Sequence, residues 1–420
     1  MARTACSFCA KTEELVSYLV IGPHGATICD ECVRVCVDVQ ETGFGTQGDL
    51  LLVAIGELVT NDRFVSGLTG IISDAAVAIR GGVVRWAGPE LAMPNRYRDL
   101  PTLDCEGRAV MPAFIDADTH ILFGGEQGDA YRNLKAGNHR GDFAVEATSL
   151  SRQATAATPD HQLADEISLR LGRLLRHGTT SVVASAQYGC DPLAQHRLIE
   201  LAVELGGQAV TDVISSFSLN TNEAEDLPNA DYVELMGIPK SEALNRTIEH
   251  GMGIRFRPGD ATFDPRLFSE FGMHCLLLDD NDTTIPVVDE VAQSGGVVVV
   301  TPVIERHGKS ARMVWDRGAT LAIATGCDSL ERYIESMQVT VAAAVRAWGL
   351  SIEEAVWSAT RGAALAIEAN EKGWIGRGAV ADLIVLDAPS PSHLAYRLGT
   401  NLVWWTIKNG TPIGRSGPSR

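Results

Sequence analysis

Three hydrophobic patterns divide the chain. Residues 50–116 carry short apolar runs broken by turn residues: LLLVAIGELVT, AAVAIRGGVVRWAG and TLDCEGRAVMPAFID. These predict strands of a small sheet structure. From about 113 to 368, strand-like runs alternate with helical stretches. Ala113–Ile121 reads as a strand and His161–His177 as an amphipathic helix, followed by the strand TTSVVASA. Leu193–Leu205 reads as a helix before QAVTDVISSF, Gly296–Thr301 and Ala319–Thr325 as strands, and Tyr333–Trp348 and Ile352–Ala366 as helices. Repeated strand–helix units predict a parallel sheet, either doubly wound or closed into a barrel. The tail returns to strands in AVADLIVLD and NLVWWTIKNGTPI. Sheet segments on both sides of the α/β body predict a small sandwich built from both chain ends. Residues 39–48 (VQETGFGTQG) read as a linker.

The N-terminal segment has a different logic. Cys6-x-x-Cys9 is followed, after nineteen residues, by Cys29-x-x-Cys32. Two such knuckles can place four thiolates around one structural zinc. Fewer than about 50 residues bury little core, so the metal would supply the missing folding energy. Cys36 is expected to pack on the short helix after the second knuckle. The stretch CSFCAKTEELVSYLVIGPHGATICDECVRVC resembles the four-cysteine zinc-binding domain of ClpX, the unfoldase partner of the Clp protease. That resemblance implies a treble-clef-like module that dimerises or docks substrates and adaptors. No G-x-x-x-x-G-K-[ST] loop follows, so no P-loop ATPase is attached.

Composition narrows the setting. The 420 residues are 45% hydrophobic, enough for a large core, and no apolar run approaches the ~18 residues of a membrane span. The net charge is −18 with no basic cluster, which argues against nucleic acid. The remaining cysteines (Cys105, Cys190, Cys275, Cys327) are scattered, as suits a reducing compartment. A cytoplasmic protein without a membrane partner is the expectation.

The body resembles the amidohydrolase superfamily, and within it imidazolonepropionase, the ring-opening hydrolase of histidine breakdown. The resemblance rests on FIDADTHILFGGEQ, LLRHGTTSVVASAQYGCD and GWIGRGAVADLIVLDAPSPSHLAYRLGTNLVWWTIKNGTPI. It implies a (β/α)8 TIM-type barrel at 113–368, a β-sandwich from 46–112 and 369–420, and the zinc module at 1–45. It also implies a metal held by two histidines after the first strand, one on a middle strand and an aspartate after the last. Matched position by position, the first histidine is Asp118 and the second is kept as His120. The middle histidine falls on Arg257, with Asp260 at the proton-handling position, and Gly326 stands where the aspartate should be. A guanidinium has no lone pair for a metal. The family's substrate positions fall on Gln127, on the 138–142 segment, and on Tyr188 in the Y-G turn. Two further histidines fall on Phe217 and Leu278.

The expectation is therefore a barrel without its metal, in which Arg257 pairs with Asp118, Asp260 or both, and a non-hydrolytic scaffold, adaptor or sensor role. Both halves resemble families that dimerise, so a homodimer is expected. A protein partner on the zinc module and a small anionic ligand at Arg257, Gln127 and Tyr188 are further expectations. The alternative is a working C–N hydrolase. It would use Asp118, His120 and the acidic 279–282 segment around a rearranged metal, or metal-free acid–base chemistry on Asp260 or Asp118. A third reading has the zinc module delivering the barrel or its cargo to a Clp-type protease. Of the Trp404–Trp405 pair, one indole is expected in the sandwich and the other at an interface.

Overall fold

The computed structural model describes residues 5–7, 11–12, 16, 18–21, 27–30, 32–33, 48–125, 127–136, 143–189, 191–220, 229–236, 247, 249, 251–258, 264–279, 285–301, 309–330 and 332–415. In the N-terminal module, strands β1 (Leu19–Ile21) and β2 (Thr27–Cys29) form an antiparallel pair.

The flanking sheet joins β3 (Leu50–Val59), β4 (Ile71–Arg80), β5 (Val83–Pro89), β6 (Thr102–Asp104) and β7 (Val110–Pro112) to three strands from the far end of the chain. The body's eight strands are β8 (Phe114–Thr119), β9 (Thr179–Ser185), β10 (Asp212–Asn220), β11 (Tyr232–Met236), β12 (Gly253–Arg257), β13 (Cys275–Asp279), β14 (Val297–Thr301) and β15 (Thr320–Ile323). The late strands are β16 (Leu383–Leu386), β17 (Val403–Lys408) and β18 (Thr411–Arg415). The flanking sheet runs β18-β17-β16-β7-β3-β4-β5, with β6 beside β3. Its core holds Leu50, Leu58, Val77, Val110, Leu383 and Ile407, so both chain ends build one unit.

The body's strands pair in order from β8 to β15, all parallel. This decides for the barrel over the doubly wound sheet. Strands covered on both faces read as continuous apolar runs, as VVVVT does in β14. Alternation then sorts the residues. Val298 and Val300 pack in the large core with helix residues such as Leu198 and Val341, while Val297 and Val299 join Ile115, Ala117 and Ala322 in a separate cluster.

Most predicted elements fall where expected, and the differences have local causes. The helix expected over Tyr333–Trp348 spans only Met337–Arg346, beginning one residue after Ser336. The helix expected over Ile352–Ala366 opens with a Ser351/Glu354 capping box, then widens into a π-turn over Ser358–Gly362. There Gly362 lies so close to Leu321 that an added Cβ would sit 2.1 Å from its carbonyl oxygen. Trp404 and Trp405 are both buried in the sheet core, and the Arg108 guanidinium covers Trp404 at 4.0 Å. The expected interfacial indole is therefore an internal one.

Candidate functional site

The first strand meets the last through a carboxylate. Asp116, at the middle of β8, accepts the Thr325 backbone N–H at 2.9 Å and its hydroxyl at 2.6 Å. Just beyond, Gly326 N–H donates to the Asp118 carbonyl and His120 N–H to the Cys327 carbonyl. These bonds close the barrel at its mouth. Burial pushes the Asp116 carboxyl up to about 7, although the two Thr325 donors favour the charged form.

Arg257, the last residue of β12, lies at the centre of the mouth. Its Nη2 donates to Asp118 Oδ2 at 3.0 Å and its Nε to Glu234 Oε1 at 2.8 Å. Both carboxylates are 1% exposed, against 14% for Arg257. Arg255, two residues earlier on the same face of β12, donates from Nη2 to the Ala117 carbonyl at 2.6 Å and stands 3.9 Å from Asp118 Oδ1. Burial alone would raise the Asp118 carboxyl. The charge of Arg257, helped by Arg255, overcomes this and holds it well below the usual carboxylate range. His120 is lowered as well, but by burial, which outweighs the raising effect of Asp118 and Glu234, so the ring is neutral at pH 7. His120 Nδ1, Asp118 Oδ1 and Glu234 Oε2 are buried and make no hydrogen bond.

Gly326 and Asp328 follow the last strand. Gly326 is left-handed (φ 58°), which favours glycine. A Cβ there would lie 3.1 Å from Thr301 and 3.3 Å from Arg332 Nη1, so a carboxylate at this position would meet both strain and occupied space. Asp328 is taken up by its own loop. Its Oδ1 accepts the N–H groups of Leu330 and Arg332, and its Oδ2 accepts Arg332 Nε.

The loop after β8 is held by a buried arginine. Arg170 donates to the carbonyls of Phe123 (2.6 Å) and Ile121 (3.2 Å) and covers the Phe123 ring at 3.6 Å. Gly124 packs directly on Thr158, where a Cβ would come within 2.3 Å of the hydroxyl. This is the physical content of the F-G-G motif: backbone must fit against a neighbouring helix end. Tyr188 stands edge-on to His120, with ring centroids 6.3 Å apart, and its hydroxyl accepts Ser329 N–H. Burial, then the Asp328 charge, push its phenol up to about 12, so it is a neutral hydrogen-bonding group.

The structure thus brings Asp118, His120, Arg257 and Tyr188 to one mouth. Gln127 is buried at the start of the following helix, where its carbonyl accepts Tyr131 N–H. Phe217 and Leu278 belong to the core between strands and helices. Beside Phe217, Ser218 instead faces Ser185 at 3.2 Å. Asp260, Cys190, the 137–142 segment and residues 280–282 lie outside the described residues, as does the Asp279 side chain. Cys327 is buried with its thiol held well up by burial, which makes it a poor nucleophile. Glu234 and Arg255 were missed. Both had a signal, since Glu234 interrupts the apolar run YVELM and GIRFR places two arginines on one strand face.

The second site is the N-terminal module. The sulfurs of Cys6, Cys29 and Cys32 lie within 4.8 Å of one another. Cys29 N–H points at Cys6 Sγ (3.2 Å) and Cys32 N–H at Cys29 Sγ (3.5 Å). Such N–H groups stabilise thiolates that hold a metal. These residues fit a zinc ion. Cys9 and Cys36 lie outside the described residues. Among the described residues, no other group of three His, Cys, Asp or Glu donors is as tightly gathered.

Residues 4–42 match the ClpX C4-type zinc finger. The chain is 33% identical over 400 residues to the imidazolonepropionase of Salinispora tropica, covering 86% of this chain and 98% of that one. The chain belongs to the imidazolonepropionase family. The imidazolonepropionase of Streptomyces griseus is 31% identical over the same shares of the two chains. Among solved structures, a triazine hydrolase variant aligns with a TM-score of 0.69 at 15% identity, covering 87% of this chain and 94% of that one. A zinc-bound adenosine deaminase from Xanthomonas campestris aligns at 0.58 and 20% identity, covering 87% and 92%. These neighbours confirm the amidohydrolase fold. Among the described residues, no helix is long and apolar enough to cross a membrane.

Proposed function

We propose that this imidazolonepropionase-family barrel is a non-hydrolytic binding domain, and that its zinc module provides dimerisation or protein docking. The observation that carries the reading is Arg257. It occupies the middle-strand ligand position and binds Asp118 and Glu234, so a fixed cation balances the carboxylates at the barrel mouth. With Gly326 in the last-strand position, the described barrel residues do not fit the family's four-ligand metal set. The residues of the mouth bind and orient rather than activate water. A small anionic ligand in the barrel would be held at Arg257, Tyr188 and Gln127.

The working-hydrolase reading has one observation in its favour: His120 Nδ1, Asp118 Oδ1 and Glu234 Oε2 are buried polar atoms that make no hydrogen bond. Metal analysis of the purified full chain separates the two. About one zinc per chain, lost on removal of residues 1–45, is expected for the binding domain. A second metal per chain that survives this deletion, with turnover of a cyclic amide abolished by His120→Ala, would establish the hydrolase. Loss of partner binding on the same deletion would support docking through the module.

A further inference from the structure

We propose a binding site for a small phosphate-bearing polyanion on the flanking sheet, remote from the barrel mouth and independent of the reading given above. The cleft measures about 550 Å³ and is lined by Arg80, Arg85, Arg96 and Arg377, with Trp86 and Tyr97 between them. That volume lies within the range of small-molecule sites.

What marks the cleft is the way its arginines are held. Arg80 donates to the Arg96 carbonyl at 3.2 Å, and Arg85 to the Arg80 carbonyl at 3.3 Å. Arg96 lies over the Tyr97 ring at 4.8 Å and donates to its hydroxyl, which in turn reaches the Arg85 carbonyl. Carbonyls and an aromatic face orient guanidinium groups but leave their charge uncompensated. Among the described residues, only Arg80 of these four has a carboxylate, Asp99 at 3.4 Å, and that residue's side chain is 75% exposed. Arg377 enters from the C-terminal half of the chain between Gly376 and Gly378. Among the described residues Asp62 is the one acidic residue in the lining, and its Oδ1 already accepts Phe64 N–H. Four arginines line one concavity in a chain of net charge −18. Guanidinium forks match phosphate oxygens two at a time, so the occupant is a di- or polyphosphate rather than a monoanion.

Calorimetric titration of the full, zinc-loaded chain with inorganic pyrophosphate and with ADP tests this. Binding of pyrophosphate is expected, weakened about tenfold by Arg377→Ala and by Arg85→Ala, each lost guanidinium removing charge-assisted bonds. Both residues are exposed, and unchanged thermal melts will show that the variants fold. Arg377→Lys should fall between wild type and alanine. If ADP binds more tightly than pyrophosphate, and Trp86→Ala removes only that advantage, the site takes nucleotides. If the two bind equally, it takes the phosphate group alone. Absence of heat with both probes at millimolar concentration, or binding unaffected by Arg377→Ala, would overturn the proposal.

Discussion

The resemblances of this chain place a metal at two sites, and in the function proposed above the two have gone opposite ways. In the N-terminal module, three sulfurs converge within 4.8 Å with amide N–H groups turned toward two of them. At the barrel mouth, a guanidinium stands between two buried carboxylates. Both arrangements gather negative donors around positive charge. The difference is one of size: a segment of fewer than about 50 residues can bury little core, whereas the barrel is already held by a large one. A metal contributes fold where the core is small. Where the core is large, it contributes only chemistry and can be replaced by a side chain.

The comparison breaks most easily at the zinc. Chelation, or Cys29→Ala, should unfold the module, since structural zinc in such small units supplies roughly 10–16 kcal/mol of apparent binding energy. Limited proteolysis should then cut within residues 1–45 while the barrel's melting temperature stays in place. A barrel that melts with the module would show that the two share stability.

The next largest effect belongs to Arg257. Arg257→Ala leaves Asp118 and Glu234 buried without their cation, and should cost about 3–5 kcal/mol in denaturant unfolding. If Arg257 replaces a metal electrostatically, removing charge from both sides should cost less. Arg257→Met combined with Asp118→Asn and Glu234→Gln should then recover most of the loss, a coupling that a thermodynamic cycle measures. An Arg257→Ala protein as stable as wild type would show that the cluster does not need its cation.

How much of this was legible beforehand depends on the range of the cause. β14 and β15 were visible because parallel strands buried on both faces produce near-continuous apolar runs, and β8 because its D-A-D-T-H end carries the family's motif. β11 and β12 were not picked out by pattern alone, because YVELM and GIRFR carry the charges of the site itself. The same charges that hide a strand from its hydrophobic pattern mark its role. Arg257 and Asp118 could be paired from the family's register. Glu234 could not, since it stands at no family position matched in the sequence. The Trp404–Trp405 reading failed because strand alternation assumes a sheet with one wet face, and every residue of β17 is buried.

The finest test concerns Asp116, which closes the barrel rather than joining the Arg257 cluster. Its carboxyl is raised to about 7 in the fold, from an ordinary value of 3.8. Between those values the folded chain binds a proton that the unfolded chain has lost, so stability should fall as pH rises. Across pH 5 to 6 the slope is about 1.4 kcal/mol per unit for one proton. Asp118, whose pKa is lowered, keeps its full contribution in this window and loses it only in stronger acid. His120, also lowered, acts in the opposite sense below its ordinary value of 6.5, so the net wild-type slope mixes the two. Subtraction isolates Asp116. Asp116→Asn keeps an acceptor for Thr325 and cannot ionise, so the stability difference between variant and wild type should widen in the variant's favour from pH 5 to 6. A difference that stays constant across that unit would mean that the two Thr325 donors, and not burial, set the charge of the residue that joins the first strand to the last.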